Sequence, residues 1–213
     1  MMFRYESYRY LYPPRPEIVV EPELLDNFVG RYWTQSKKDG TSNLMAITPD
    51  RQIIAMNRHK APHKAWKPSG STYEAVRRAF LNLPGNGWYY FCAELLHSKG
   101  GGFRNINYIN DILVTDGQYL IGTTFADRQK LLLELFRPMV MAPSGSHYIL
   151  DDNTWLAINH TTDFYDLFQT FLAAGDEGVV LKDPSAKLGW CSSPTANSTW
   201  QRKCRRPGKA YGR

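Results

Sequence analysis

The sequence predicts an α+β fold, with largely antiparallel sheets flanked by helices. Strand-like segments outnumber helical ones, and the helices are scattered among the strands rather than alternating with them one for one. The clearest strand pair, "INYINDILV" and "QYLIGT", is joined by the turn "TDGQ", a hairpin signal.

Along the chain, the leader "MMFRYESYRYLYPPRPE" is aromatic and basic and is broken by Pro13, Pro14 and Pro16, so residues 1–20 read as an extended arm. "EPELLDNFVG" reads as a short helix ended by Gly30. The β-rich segments "RYWTQSK", "SNLMAITP" and "QIIAMN" follow, separated by the turns "KDGT" and "PDR". In "STYEAVRRAFLNLPG" Ser71 is the expected N-cap, and Val76, Phe80 and Leu83 share a helix face. A strand, "WYYFCAELL", precedes the hairpin, and two helices follow it: "TFADRQKLLLELF" and "DFYDLFQTFLAAG", the latter closed by Gly175. "EGVVLK" is a short apolar, β-branched strand. There is no internal repeat, heptad or low-complexity linker, so residues 1–213 are expected to form one domain with a basic C-terminal tail over 203–213.

A chain of 213 residues with 43% hydrophobic and 22% charged residues can bury a sizeable core. Its net charge of +6 and pI of about 9.2 favour an anionic partner. The excess is concentrated in "RKCRRPGKAYGR", which carries Arg202, Lys203, Arg205, Arg206, Lys209 and Arg213 and no acid. The three cysteines, Cys92, Cys191 and Cys204, are widely spaced and make neither a CxxC pair nor a disulfide framework. This points to a reducing compartment and away from zinc. No stretch has the length of a membrane span, and the N-terminus lacks a continuous apolar h-region. The expectation is a soluble cytoplasmic protein (host-cell cytoplasm for a viral one) that acts as a monomer without a membrane partner.

Three segments could carry chemistry. "KKDG" contains Lys-x-Asp-Gly, which arises by chance in about one in twenty chains of this length. "EGVVLK" brackets an apolar strand with Glu177 and Lys182, two charges that need partners if the strand is buried. "CAELL" places Glu94 within an apolar strand, where an edge-facing side chain is the plain alternative.

Taken in order, these segments resemble the covalent nucleotidyltransferases: ATP-dependent DNA ligases, RNA ligases and mRNA capping guanylyltransferases. The resemblance runs over residues 31–206 through "KKDG", "FCAELL", "YINDILVTDGQYL", "DEGVVLKDPSAKL" and "STWQRKCRRPGK". It implies a lysine nucleophile two residues before Asp39, which is Lys37. Strand alternation independently sends Lys37 and Lys38 to opposite faces, and Lys38 is expected to face solvent. The resemblance further implies that Gln35 recognises adenine, Glu94 holds the ribose hydroxyl, and Val180 packs on the base. Glu177 is implied as the carboxylate that holds Mg²⁺ (or Mn²⁺). Lys182 and Lys203, with Arg205, would face the phosphates of ATP and help Lys37 lose its proton. Gly40 would make the tight turn after the nucleophile. Ser42, Arg58, Arg205, Arg206 and Lys209 are the expected contacts to a nucleic acid bearing a 5′-phosphate and a 3′-hydroxyl, a nicked duplex by preference.

Departures from the family pattern leave alternatives open. Ser42 stands where DNA ligases carry arginine, and small polar residues there are common in RNA ligases. Asn110 replaces the aromatic residue before the Asp of the family's aromatic strand, leaving Tyr108 to stack on the base. The closing W-x-K-x-K pattern falls on Arg202 and Cys204 if aligned on Trp200, but on Lys203 and Arg205 if shifted by one. The shifted register supplies two cations. The chain is also expected to lack the OB-fold domain that usually follows. The leading reading is an ATP-dependent DNA ligase that seals 5′-phosphate/3′-hydroxyl nicks in a duplex, with an RNA ligase of the same chemistry, a guanylyltransferase and a nucleic-acid-binding relic without activity as the alternatives.

Overall fold

The computed structural model describes residues 11–97, 104–137, 139–193 and 198–206. The chain opens with strand β1 (Pro16–Val19) and a 3-10 helix (Pro22–Phe28), followed by β2 (Trp33–Lys37), β3 (Thr41–Ile47) and β4 (Ile53–Met56). Helix α1 (Gly70–Arg78) leads to β5 (Tyr89–Leu96), β6 (Ile106–Thr115) and the two-residue β7 (Gln118–Tyr119). After α2 (Phe125–Leu135) come β8 (Val140–Met141), β9 (His147–Asp151) and β10 (Thr154–Ala157). The last elements are α3 (Phe164–Ala173), β11 (Gly178–Lys182) and β12 (Ser198–Arg205).

The strands form two sheets. The smaller has the order β1-β12-β11-β2, with β1 parallel to β12 and the other pairs antiparallel. The larger runs β4-β3-β5-β6-β10-β9-β8, with β7 beside β6 and only the β6–β10 pair parallel. The predicted α+β class with mainly antiparallel sheets is therefore what the chain adopts.

Alternation along the strands divides the interior into three apolar clusters. Met45 and Ile47 of β3, with Phe91 and Ala93 of β5, face α1 and α2. Their neighbours Leu44, Ala46, Tyr90 and Cys92 face the opposite side, where Leu11 and Leu188 cover them. The outer face of the smaller sheet buries Val179, Leu181 and Cys204 against Phe164, Phe168 and Phe171 of α3. Helix α2 begins with a reciprocal capping box, in which Thr124 and Asp127 each satisfy the other's backbone N–H.

Several local expectations need correction. The N-cap of α1 is Ser69, which accepts from the Thr72 N–H, and not Ser71. The α-helix ends at Arg78, although Phe80 and Leu83 are buried as expected. "PELLDNF" forms a 3-10 helix rather than an α-helix. Residues 11–20 are not a free arm: Leu11 is fully buried, and Pro16–Val19 pairs with β12. Residues 1–10 and 207–213, including Lys209, lie outside the described residues. Lys203 and Arg205, expected in a tail, belong to strand β12.

Candidate active site

Between the inner faces of the two sheets lies a cleft of about 560 Å³, within the usual range for small-molecule sites. Three adjacent strands build its first wall. On β11, Val179 and Leu181 point into the apolar cluster, so Gly178, Val180 and Lys182 face the cleft. Across the ladder, Gly178 pairs with Lys37, Val180 with Gln35, and on the other side Gly178 with Arg205 and Val180 with Lys203. Cross-strand neighbours share a face, so all four side chains point the same way. A Cβ at Gly178 would meet the Cys204 carbonyl oxygen at 2.1 Å, so only glycine lets β12 approach here. The other face of β12 carries Cys204 into the core and sends Arg202 to the rings of Phe28 and Tyr32. Gln201, Lys203 and Arg205 thus line the cleft, which is the shifted register of the closing motif.

The second wall comes from the larger sheet. Glu94 stands on β5, Cα-partnered with Ser42 on β3 and with Tyr108 on β6. Because β5 lies between these strands, Glu94 is not an edge residue. Burial raises its carboxyl to about 7, with Lys37 acting in the opposite direction. Ser42, Tyr108 and the exposed Arg58 line the same cleft. Arg58 sits in the turn after β4, where its Nε donates to His59.

Lys37 Nζ donates to Glu177 Oε2 at 2.5 Å, and Arg205 reaches Oε1 of the same carboxylate at 3.4 Å. Glu177 enters the site through these cations and is not itself part of the lining. Lys182 is held by the Asn110 carbonyl at 3.1 Å and lies 4.9 Å from the centre of the Phe125 ring. Burial lowers its ammonium to about 8, despite the nearby Asp111 carboxylate. Gln35 donates its amide nitrogen to Asn159 Oδ1 at 3.0 Å, Gln129 Oε1 at 3.3 Å and the Asn110 carbonyl at 3.4 Å. That commitment leaves Gln35 Oε1 as the acceptor it offers to a ligand. Arg206 is exposed at the end of β12 and lies outside the lining.

Lys38 overturns an expectation. Expected to face solvent, it borders the cleft as Lys37 does, is 7% exposed, and donates to both Asp176 oxygens at 2.8 Å and to Ser146 Oγ at 3.0 Å. Its Nζ also lies over the rings of Tyr108 and Trp155. Ser36 donates to the same Asp176 carboxylate. Lys38 follows the last residue of β2 and is packed among residues of the larger sheet rather than wet, so alternation within the strand did not report its environment. Tyr108 anchors there as well, donating its hydroxyl to the Ser36 carbonyl at 2.9 Å. Gly40 lies in the bend between β2 and β3, as expected, and has a second reason: a Cβ would meet the Leu95 carbonyl at 2.8 Å, so close approach to β5 demands glycine.

Asn110 and Asp176 escaped sequence reasoning as organisers of the site. Asn110 was visible only as a missing aromatic; its carbonyl accepts from Gln35, Gln129 and Lys182. Asp176 carried one signal, an acid directly before the Glu177 strand.

Residues 104–191 match the family model of the ATP dependent DNA ligase domain. Among solved structures, mycobacterial DNA ligase D complexed with ATP and MES superposes with a TM-score of 0.64 at 17% identity, over 96% of this chain and 62% of that one. The chain has the fold of an ATP-dependent DNA ligase adenylation domain. Chlorella virus DNA ligase-adenylate shares this ligase fold with a TM-score of 0.51 at 13% identity, covering 90% of this chain and 64% of that one. A Lig E DNA ligase, described as binding DNA with a minimal scaffold, gives 0.51 at 13% identity over 93% and 69%. The chain therefore spans less than two thirds of the mycobacterial and Chlorella virus ligase structures. No curated protein matches it in sequence. Among the described residues no helix is long and apolar enough to cross a membrane.

Proposed function

We propose that the chain is an ATP-dependent polynucleotide ligase that seals 5′-phosphate/3′-hydroxyl nicks in duplex DNA through a lysyl-AMP intermediate. The observation that carries this reading is the ladder Gln35–Lys37, Val180–Gly178 and Lys203–Arg205, which aims a base acceptor, an amine and two cations into one cleft.

Gln35 Oε1 suits the 6-amino group of adenine and opposes the 6-oxo group of guanine, which favours ATP over GTP. Glu94 accepts from the ribose hydroxyls across the cleft, and Val180 and Tyr108 bound the base. Neutral Lys37 Nζ attacks the α-phosphorus: a P–N bond forms, the P–O bond to pyrophosphate breaks, and the Nζ proton passes to Glu177, its hydrogen-bond partner. Lys182, Lys203 and Arg205 neutralise the charge that develops on the phosphate oxygens. A polynucleotide 5′-phosphate oxygen then takes AMP from Lys37, which recovers its proton, and the 3′-hydroxyl displaces AMP to join the strands.

Among the described residues no three His, Cys, Asp or Glu side chains cluster as a metal site. The Glu177 carboxylate is an oxygen donor of the kind hard divalent cations take, so it is the residue that would hold an ion such as Mg²⁺ or Mn²⁺. Such an ion would supply charge neutralisation at the reacting phosphate.

The experiment is incubation with labelled ATP or GTP and Mg²⁺, followed by peptide mapping of the adduct. ATP labelling at Lys37, lost in Lys37→Ala, is the expected result; an adduct on another residue, or one formed only with GTP, overturns it. A second reading, an RNA ligase with the same chemistry, is favoured by Ser42, which stands beside Glu94 at the cleft. Nicked DNA, nicked RNA–DNA hybrid and single-stranded RNA offered in parallel separate the two. Sealing confined to RNA ends would replace the DNA assignment.

A further inference from the structure

The segment before β1 runs across the cleft instead of away from it. Leu11 is fully buried, the Tyr12 N–H bonds to the Cys191 carbonyl at 3.1 Å, and Val20 N–H bonds to the Lys203 carbonyl at 2.9 Å. Between these anchors Pro13, Pro14, Arg15 and Pro16 line the cleft. Three prolines in four residues restrict the backbone, and the Arg15 carbonyl is fixed by both the N–H (3.0 Å) and the Oγ (3.2 Å) of Ser198. Arg15 is thus held on the strap beside the closing basic strand.

Its charge is shared with that strand through one carboxylate. Arg15 Nη2 lies 3.0 Å from Glu17 Oε1, and Lys203 Nζ lies 3.8 Å from Glu17 Oε2. Glu177 does the same between Lys37 and Arg205. In each triad one carboxylate spans two cations. The Glu17 pairs differ from the buried Lys38–Asp176 pair in exposure: the Arg15 and Glu17 side chains are each 35% exposed, against 7% and 10%. Exposed ion pairs exchange at little cost, whereas a buried one does not.

We propose that Arg15 and Lys203 form a phosphate-binding subsite in which Glu17 occupies the place of a phosphate oxyanion until the ligand displaces it. The ligand class is a phosphate or polyphosphate, supplied either by the tail of the nucleotide or by a polynucleotide backbone. The subsite rests on the ligase reading for its ligand, but its test does not depend on adenylation.

The full chain and its Arg15→Ala, Arg15→Lys and Glu17→Gln variants are titrated calorimetrically with inorganic pyrophosphate, and separately with a labelled nicked duplex by anisotropy. Losing one charge-assisted contact should weaken the relevant ligand by about tenfold in Arg15→Ala, with Arg15→Lys keeping most of the affinity. Glu17→Gln, which removes the competitor but not the cations, should tighten the same ligand by about threefold. Changes confined to pyrophosphate assign the subsite to the nucleotide tail; changes confined to the duplex assign it to a backbone phosphate. Unchanged affinity for both ligands in Arg15→Ala overturns the proposal, as does failure of the wild type to bind either. Should Arg15→Ala fail to fold, Glu17→Gln decides: no tightening of either ligand overturns it. Absence of an adduct at Lys37 would instead overturn the ligase reading and leave these titrations intact.

Discussion

Burial raises the Glu94 carboxyl to about 7 and lowers the Lys182 ammonium to about 8, so both are charged together only between those values. If Glu94 accepts from the ribose and Lys182 faces phosphate, ATP affinity should be greatest in that window. Glu94→Gln should flatten the acid limb of an affinity–pH profile, and Lys182→Arg should extend the alkaline limb. A profile unchanged by both substitutions would dissociate these groups from nucleotide binding. Glu94 also links pH to stability. Its carboxyl ionises near 4.5 in the unfolded chain and near 7 in the folded one, so folding takes up a proton between those values. Its stabilising contribution is therefore full below 4.5 and lost as pH rises through about 7. In urea denaturation, Glu94→Gln should gain on the wild type by up to about 3 kcal/mol between acid and mildly alkaline pH.

At the scale of elements, the Lys38–Asp176 pair fastens the β2 and β11 ends of the smaller sheet to the larger one, since Tyr108 of β6, Ser146 before β9 and Trp155 of β10 surround Lys38. Removing one partner leaves a buried charge unpaired, so Lys38→Met should destabilise by about 3–5 kcal/mol, while Lys38→Met with Asp176→Leu should recover most of the loss. Chemical denaturation of the wild type and the two variants checks this; equal losses in the single and double variants would contradict it. The site-bearing strands β2, β3, β5, β6 and β11 were legible because each alternates or is continuously apolar and ends in turn residues. Strand β1 was not, because its prolines suggest an arm; at a sheet edge, Pro16 gives up no ladder bond the sheet needs. Strands β9 and β10 were missed because "HYILD" and "TWLA" are short, and β10 joins β6 in parallel from distant sequence. The side-chain roles of Lys38 and Asn110 were invisible for a related reason: alternation reports a side, and only tertiary packing reports what occupies it.

For the whole molecule, the excess of +6 and the cations converging on one cleft predict duplex binding that falls steeply with salt. Arg58→Ala should lower the slope of log affinity against log salt by about one, with little dependence on sequence. An unaltered slope would remove Arg58 from the interface. The ladder of β2, β11 and β12 also bears on how such a chain can change over generations. Because Gly178 sits opposite both Lys37 and Arg205, the layout depends on odd and even positions. One inserted or deleted residue within β11 would swap Val179 and Leu181 for Val180 and Lys182, putting oil in the cleft and a charge in the core. Substitution meets no such barrier: an apolar residue facing α3 can be exchanged for another without turning a single cleft residue around. A lineage built on this plan can drift far in its letters while its strand lengths stay fixed, and counting residues between landmarks will recognise it after spelling has ceased to.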